Sequence, residues 1–454
     1  MSKLTQKVVD SLFSDERIAK IAEAHRYYAN HNDICDHKRM VVGPEGMMVE
    51  SRFLSNNRLS HPFTRKITEQ KVAYLLGKPF NIEGDDEMLV EEATAVYGKA
   101  FMRQLRAVCR EAILCGEAWI MVYYDEAGSL KFRHVPTDSV GAVYEDETEE
   151  RLKFVVRKYK TGSEIDGAQA QSKDKSCNYE LWTANDVTTY QAMNGELRKI
   201  GHRSHFSAQE EDGEEASAGM GRVPFVRFRY NANGYGILNF IKPLVDDYDK
   251  NASDLSNLIQ DTPNTMRVIK GYGGDIEQLI KNMALFNVVQ IAPDADITTL
   301  QNGIDINAIE THMTRLRKDI LDSACAVDTQ EASQGNLSGV AIKFRFSDLD
   351  LDCQQMGSEF AASMEDLTWF LCEDMKARGM GEHDPTAISF IWATELIANE
   401  QEVIQNLQNS AEILSLETRV AQHPYVSDPD AELERIKSEE DGVPGEGASN
   451  QFGA

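Results

Sequence analysis

From residue 236 onward, apolar side chains recur at alternating intervals of three and four: Leu238, Ile241, Val245, Tyr248, Ala252, Leu255 and Ile259. The same spacing returns at Ile306, Ile309, Met313, Leu316 and Ile320. Both stripes are narrow, which predicts helices seamed against other helices instead of lying on a broad core. Residues 236–262 as one helix extend ~40 Å at 1.5 Å per residue, and Pro243 favours a bend in the second turn. A third helix is predicted over 346–378, on Phe346, Leu349, Cys353, Met356, Phe360, Leu367, Leu371 and Met375.

The first 116 residues also read as helical. Residues 59–77 place Phe63, Ile67, Tyr74 and Leu75 at helical spacing before the stop signals Gly77 and Pro79. Residues 86–115 continue the pattern to Gly116, with GKPFNIEGDD (77–86) as a connection. The period then shortens. Residues 117–136 read as two strands about a turn, and 151–160, 179–191 and 223–230 as further strands of an antiparallel meander. Its linkers, 161–178 and 205–221, read as mobile loops. Between the two striped helices, 263–302 reads strand, Gly turn, short helix, strand. One strand is expected at 384–394, helix over 395–437 with a break at His423-Pro424, and a disordered tail over 438–454.

One stretch breaks the periodicity without a packing reason. TQEASQGNLSGVAIKF (329–344) is small, flexible and nearly uncharged, and it is longer than an ordinary helix–helix connection. The chain around it is acidic, with a net charge of −27 over 454 residues. That balance excludes a tight nucleic-acid grip, which needs many Lys and Arg contacts to phosphate, though not a surface that surrounds nucleic acid without holding it. With 42% hydrophobic and 27% charged residues the composition is that of a globular chain of two to four domains. No run of 18 apolar residues is present, and the first 21 residues read as an amphipathic helix, not a signal peptide. Seven scattered cysteines without CxxC spacing read as free thiols of a reducing cytoplasm.

Candidate chemistry is sparse. HExxH, GxSxG, P-loop and zinc spacings are all missing, so no catalytic, cofactor or metal residue is assigned. GYGGD (271–275) reads as a tight turn, and Asp246, Asp247 and Asp249 as a solvated helix face. His202 and His205 fall in a polar loop. Arg315, Arg317 and Lys318, with Lys343 and Arg345, either pair on helix surfaces or make sparse phosphate contacts. Two long helices with narrow stripes leave faces that need neighbours, and copies arranged about an axis supply them through heterologous contacts that close. The residues alone therefore define a ring- or bundle-forming α+β protein. A nucleotide-binding enzyme using GYGGD, or a monomeric helical adaptor, stays open beside it.

Three segments, in order, sharpen this picture: SNNRLSHPFTRKITEQKVAYLLGKPF (55–80), PLVDDYDKNASDLSNLIQDT (243–262) and GNLSGVAIKF (335–344). Together they resemble the portal proteins of tailed bacteriophages, of the siphophage type. The resemblance implies a non-enzymatic ring of about 12 subunits at one capsid vertex, passing double-stranded DNA during packaging and ejection. It further implies a wing (1–235, with a return strand at 379–394), stem helices (236–262 and 303–328), a clip (263–302) and a tunnel loop (329–342). A long wing helix (343–378), a short crown (395–437) and the tail complete the fold. The channel residues would be Gln334, Gly335, Asn336, Leu337, Ser338 and Lys343, touching DNA weakly and without sequence preference. Tyr272, Asp275, Glu277 and Asn282 would dock the terminase motor and then head–tail connector proteins. The major capsid and scaffolding proteins are the other implied partners. The implied location is the virion, and the host cytoplasm during assembly, with no membrane and no cofactor.

Overall fold

The computed structural model describes residues 4–42, 46–51, 54–160, 177–193, 196–209, 215–261, 266–270, 275, 296–300, 306–329, 339–392, 400–426 and 429–441. The chain opens with helices α1 (Gln6–Leu12) and α2 (Asp15–Tyr28), the latter capped by the Ser14 hydroxyl accepting from Arg17 N–H. An antiparallel pair, β1 (Met40–Val42) and β2 (Met48–Glu50), precedes α3 (Phe63–Leu76). Strand β3 (Asn81–Gly84) then leads to α4 (Glu87–Val96) and α5 (Lys99–Cys115). The segment is thus not wholly helical. The helical run expected over 86–115 breaks at Tyr97-Gly98. β3 hides in the presumed connection because its partner lies about 300 residues downstream, in β16 (Ile388–Ile391), with Ile82 opposite Phe390. Gly116 ends α5 in the left-handed region, φ 89°, its N–H donating to Ala112 O.

Strands β4 (Glu117–Tyr124) and β5 (Leu130–Val135) form the expected hairpin. β6 (Val140–Tyr144), β7 (Leu152–Lys160), β8 (Cys177–Trp182), β9 (Asp186–Met193) and β10 (Glu196–Ser204) make a five-stranded antiparallel meander in chain order. Residues 179–191 are two strands, not one, because the chain turns at Thr183, whose side chain bonds Asp186. The stretch expected as loop at 205–221 contains β11 (Phe206–Gln209) paired with β12 (Glu215–Ala218). β13 (Phe225–Arg229) leaves the meander and pairs with β4, giving a separate sheet ordered β13-β4-β5.

The striped segments form α6 (Leu238–Asp261) and α7 (Ile306–Ser323), within a few residues of expectation. Between them β14 (Met266–Lys270) and β15 (Asp296–Leu300) pair antiparallel, and the short helix expected there lies outside the described residues. Helix α8 runs from Gly339 to Ala377, about 58 Å at 1.5 Å per residue. It starts seven residues before the expected 346, so 339–342 of the expected loop are its first turn; Gly339 and the β-branched Val340 and Ile342 are carried by the long helix behind them. After β16 come α9 (Glu400–Asn409), α10 (Leu416–Ala421) and α11 (Pro429–Asp441), the last taking in residues 438–441 of the expected tail; 442–454 lie outside the described residues.

The main core forms where α3, α5 and the β4–β13 sheet meet α8. Leu349, Cys353, Met356, Phe360, Leu367, Leu371 and Met375 of α8 are all buried there, as the spacing predicts, and the Phe228 ring packs edge-on to Phe360 at 5.0 Å. Among the described residues no helix is long and apolar enough to cross a membrane.

Candidate functional site

The apolar stripe of α6 divides into two halves. Leu238, Ile241 and Val245 are buried in the main core, and Tyr248 lies edge-on to Phe63 at 5.0 Å. Beyond the buried Ala252 the stripe opens: Leu255 is half-buried and Ile259 is 62% exposed. Helix α7 repeats the division from the other end, with Leu316 and Ile320 buried, Ile309 and Met313 half-buried, and Ile306 exposed. The helices lie against one another, and His312 Nε2 comes within 3.3 Å of Asp247 Oδ2. The expected seam is closed near the core and open towards the β14–β15 pair.

Polar residues of α6 do what the sequence reading did not anticipate. Ser55, Asn57, Leu59 and His61 each turn a backbone N–H onto α6. They donate in order to Asp261 Oδ1 (3.1 Å), Asn257 Oδ1 (2.6 Å), Ser253 Oγ (2.9 Å) and Asp249 Oδ1 (3.0 Å). Alternate amides of an extended chain advance ~6–7 Å, and every fourth helical residue advances ~6 Å, so the two repeats stay in step for four rungs. Asp249 is therefore not on a solvated face. It is fully buried and also accepts from Asn32 Nδ2 at 2.6 Å, beside His61 Nδ1 at 2.7 Å. Asp246 is likewise engaged, by Lys242 Nζ at 2.7 Å and by the Tyr27 hydroxyl. Lys242 also bonds Asp33 at 2.6 Å; against the pull of burial, Lys242 and Arg26 hold that carboxyl down at about 2.

Gln334, Gly335, Asn336, Leu337 and Ser338 lie outside the described residues, as do Tyr272, Glu277, Asn282 and all of GYGGD except the exposed Asp275. Lys343 is exposed on the second turn of α8. The chain on both sides of 330–338 is described, and it is moored to α3. Gln70 clasps Val327 twice, its Nε2 donating to Val327 O (3.1 Å) and its Oε1 accepting from Val327 N–H (3.0 Å). Lys71 is fully buried and reaches both flanks, Cys325 O at 3.4 Å and Asp352 Oδ2 of α8 at 2.6 Å. The Tyr230 hydroxyl donates to the same carboxylate at 3.0 Å; burial and Asp352 push its pKa up, so it stays a neutral donor. Tyr74 donates to Asp350 (2.7 Å), and Arg317 pairs with Asp328 through both oxygens at 2.9 and 2.8 Å, which for that one residue is the helix-surface pairing of the two readings given. A signal for Lys71 was present: it sits four residues from both Ile67 and Leu75, a charge on an apolar face.

His202 and His205 also separate from a polar loop. His202 Nδ1 meets Thr188 Oγ1 at 3.0 Å across β9 and β10, and His205 is buried under Trp182, where burial lowers its pKa.

A helix pair with a half-open seam, and a segment moored at both ends to a rigid core, describe a structural protein of mixed helix and sheet. The chain belongs to the phage portal protein family: the family described as "Phage portal protein, SPP1 Gp6-like" matches residues 14–444. It is 26% identical over 440 residues to the portal protein of Bacillus phage SPP1, covering 95% of this chain and 86% of that protein. It is 25% identical over 459 residues to the portal protein of Clostridium phage phiCD119, covering 96% of each. Among solved structures, the neck of an empty gene transfer agent particle computed with C6 symmetry matches at 12% identity and TM-score 0.45, over 88% of this chain and 98% of that one. The neck of the native particle computed with C12 symmetry matches at 11% identity and TM-score 0.43, over 89% and 99%.

Proposed function

We propose that about twelve copies of this chain close into a ring at one capsid vertex, forming the channel for packaging, retaining and ejecting double-stranded DNA. One observation carries the ring: with Ile259 and Ile306 exposed and Leu255, Ile309 and Met313 half-buried, the outer half of the helix seam is only partly covered within a single copy. Apolar surface of that kind gains ~25 cal/mol per Å² when a neighbour covers it. In this reading residues 1–235 and 379–394 form the wing and 343–378 its long helix. Residues 236–262 and 303–328 form the stem, 263–302 the clip, and 395–437 the crown. The tunnel loop shortens to 329–338, the part before α8 begins. Its Gln, Gly, Asn and Ser residues border the duplex, where each added cation would add affinity and drag, and the acidic wall keeps DNA near the axis. The clip docks the terminase motor and then the connector proteins, with capsid and scaffolding proteins about the wing, and assembly takes place in the host cytoplasm.

Negative-stain class averages and native mass spectrometry of the purified full chain test this. Rings of about twelve copies with a central opening are expected. A monodisperse monomer across micromolar concentrations would reject the ring in favour of a helical adaptor.

A further inference from the structure

Away from the helix pair, three donor side chains of different chemistry converge where α2 meets α5. Glu111 and Cys115 lie one turn apart on α5 and share a face, and His25 approaches them from the last turn of α2. His25 Nε2 lies 3.3 Å from Glu111 Oε2 and 3.8 Å from Cys115 Sγ, and all three donor atoms fall within 4.8 Å of one another. With Zn–N and Zn–O bonds of about 2.0–2.1 Å and Zn–S of about 2.3 Å, a tetrahedral centre sets its N and O donors about 3.3 Å apart and its N and S donors about 3.6 Å apart. The two distances to His25 already lie close to those edges.

The surroundings suit a cation. Buried Glu111 is held from behind, its Oε1 accepting from Thr137 N–H at 3.2 Å, which leaves Oε2 for the shared point. His134 on β5 lies near enough to feel the charge of Glu111 and His25, and its Nε2 is buried without a hydrogen-bond partner among the described residues. Glu117 and Asp138 add negative charge near Cys115, opposed in part by Arg17. The His25 side chain is 46% exposed, so a water can reach a fourth position. Glu111 Oε2 and Cys115 Sγ both converge on the same ring nitrogen, His25 Nε2.

We propose that His25, Glu111 and Cys115 bind one zinc ion, which staples α2 to α5. Imidazole and thiolate beside one carboxylate favour Zn²⁺, with Co²⁺ as its spectroscopic stand-in, over the oxygen-seeking Mg²⁺ and Ca²⁺. No local spacing announces the site, because His25 and Cys115 are 90 residues apart. The ligands lie within one copy, so the test does not depend on ring formation.

The test is a cobalt titration of chelator-treated full chain, followed by zinc competition. Saturation at one equivalent per subunit is expected, with visible ligand-field bands and a near-ultraviolet thiolate-to-cobalt charge-transfer band that zinc abolishes. Cys115→Ser should remove the charge-transfer band, and His25→Asn should weaken zinc binding more than about tenfold; both leave helicity by circular dichroism unchanged. Failure to bind at one equivalent, a charge-transfer band surviving Cys115→Ser, or unaltered zinc affinity in His25→Asn would each overturn the assignment.

Discussion

Lys71 is a charge placed among Ile67, Val72 and Leu75, and it is tolerated because Asp352, the Tyr230 hydroxyl and the Cys325 carbonyl surround it. Lys71→Met removes the cation and strands the carboxylate. With Asp352 still about a quarter exposed, urea unfolding should show a loss of about 2–3 kcal/mol. The double variant Lys71→Met/Asp352→Leu should recover only part of it, because it removes the uncompensated charge but leaves the buried Tyr230 hydroxyl and the Cys325 carbonyl without these partners. A second residue-level consequence concerns pH. His383 Nδ1 and Asp86 Oδ2 lie 2.6 Å apart, and the hydrogen bond raises the histidine pKa and lowers the carboxyl pKa. The histidine contribution is complete below about pH 6.5 and is lost as pH rises through its raised folded value. The aspartate contribution is present above about pH 3.9 and is lost as pH falls through its lowered one. The thermal midpoint of the wild type should therefore exceed that of His383→Gln most between about pH 4 and 6.5, with the gap narrowing towards pH 9. A gap that widens with pH would refute this.

At the scale of elements, α6, α7 and the buried stripe of α8 were legible because a helix that buries one face must repeat every three or four residues. What escaped the sequence was pairing over distance. β3 cannot be read from four residues whose partner is β16, and the Asp249, Ser253 and Asn257 rungs look like a wetted face until the 55–61 segment is laid upon them. Those two stretches are also the first two of the three that carried the family resemblance, and their contact gives it a physical basis. The central candidate site was less legible. The residues mooring the 330–338 segment are α3 side chains more than 250 positions away. The ladder yields its own prediction. Ser253→Ala with Asn257→Ala deletes two acceptors at about 1 kcal/mol each, so the amides of Leu59 and Asn57 should exchange at least about fivefold faster while helicity holds. Unchanged exchange at both amides would show that the rungs do not hold the segment.

For the molecule as a whole, the half-open seam separates folding from assembly. Ile259 is 62% exposed in one copy, so Ile259→Asp should leave the circular dichroism spectrum at ambient temperature unchanged while sizing shows loss of rings. Unfolding without loss of rings would reverse that reading. The proposed low-drag channel is tested apart from assembly by Asn336→Lys with Ser338→Lys. Rings should form normally but packaging should slow, most at low salt where attraction to phosphate is least screened. The four rungs between the 55–61 segment and α6 also fix which residues face the helix. Residues alternate sides along an extended chain, so one residue inserted near position 58 would hand the rung at Asp249 from His61 to Ser60, and the imidazole would leave that carboxylate although an amide still met it.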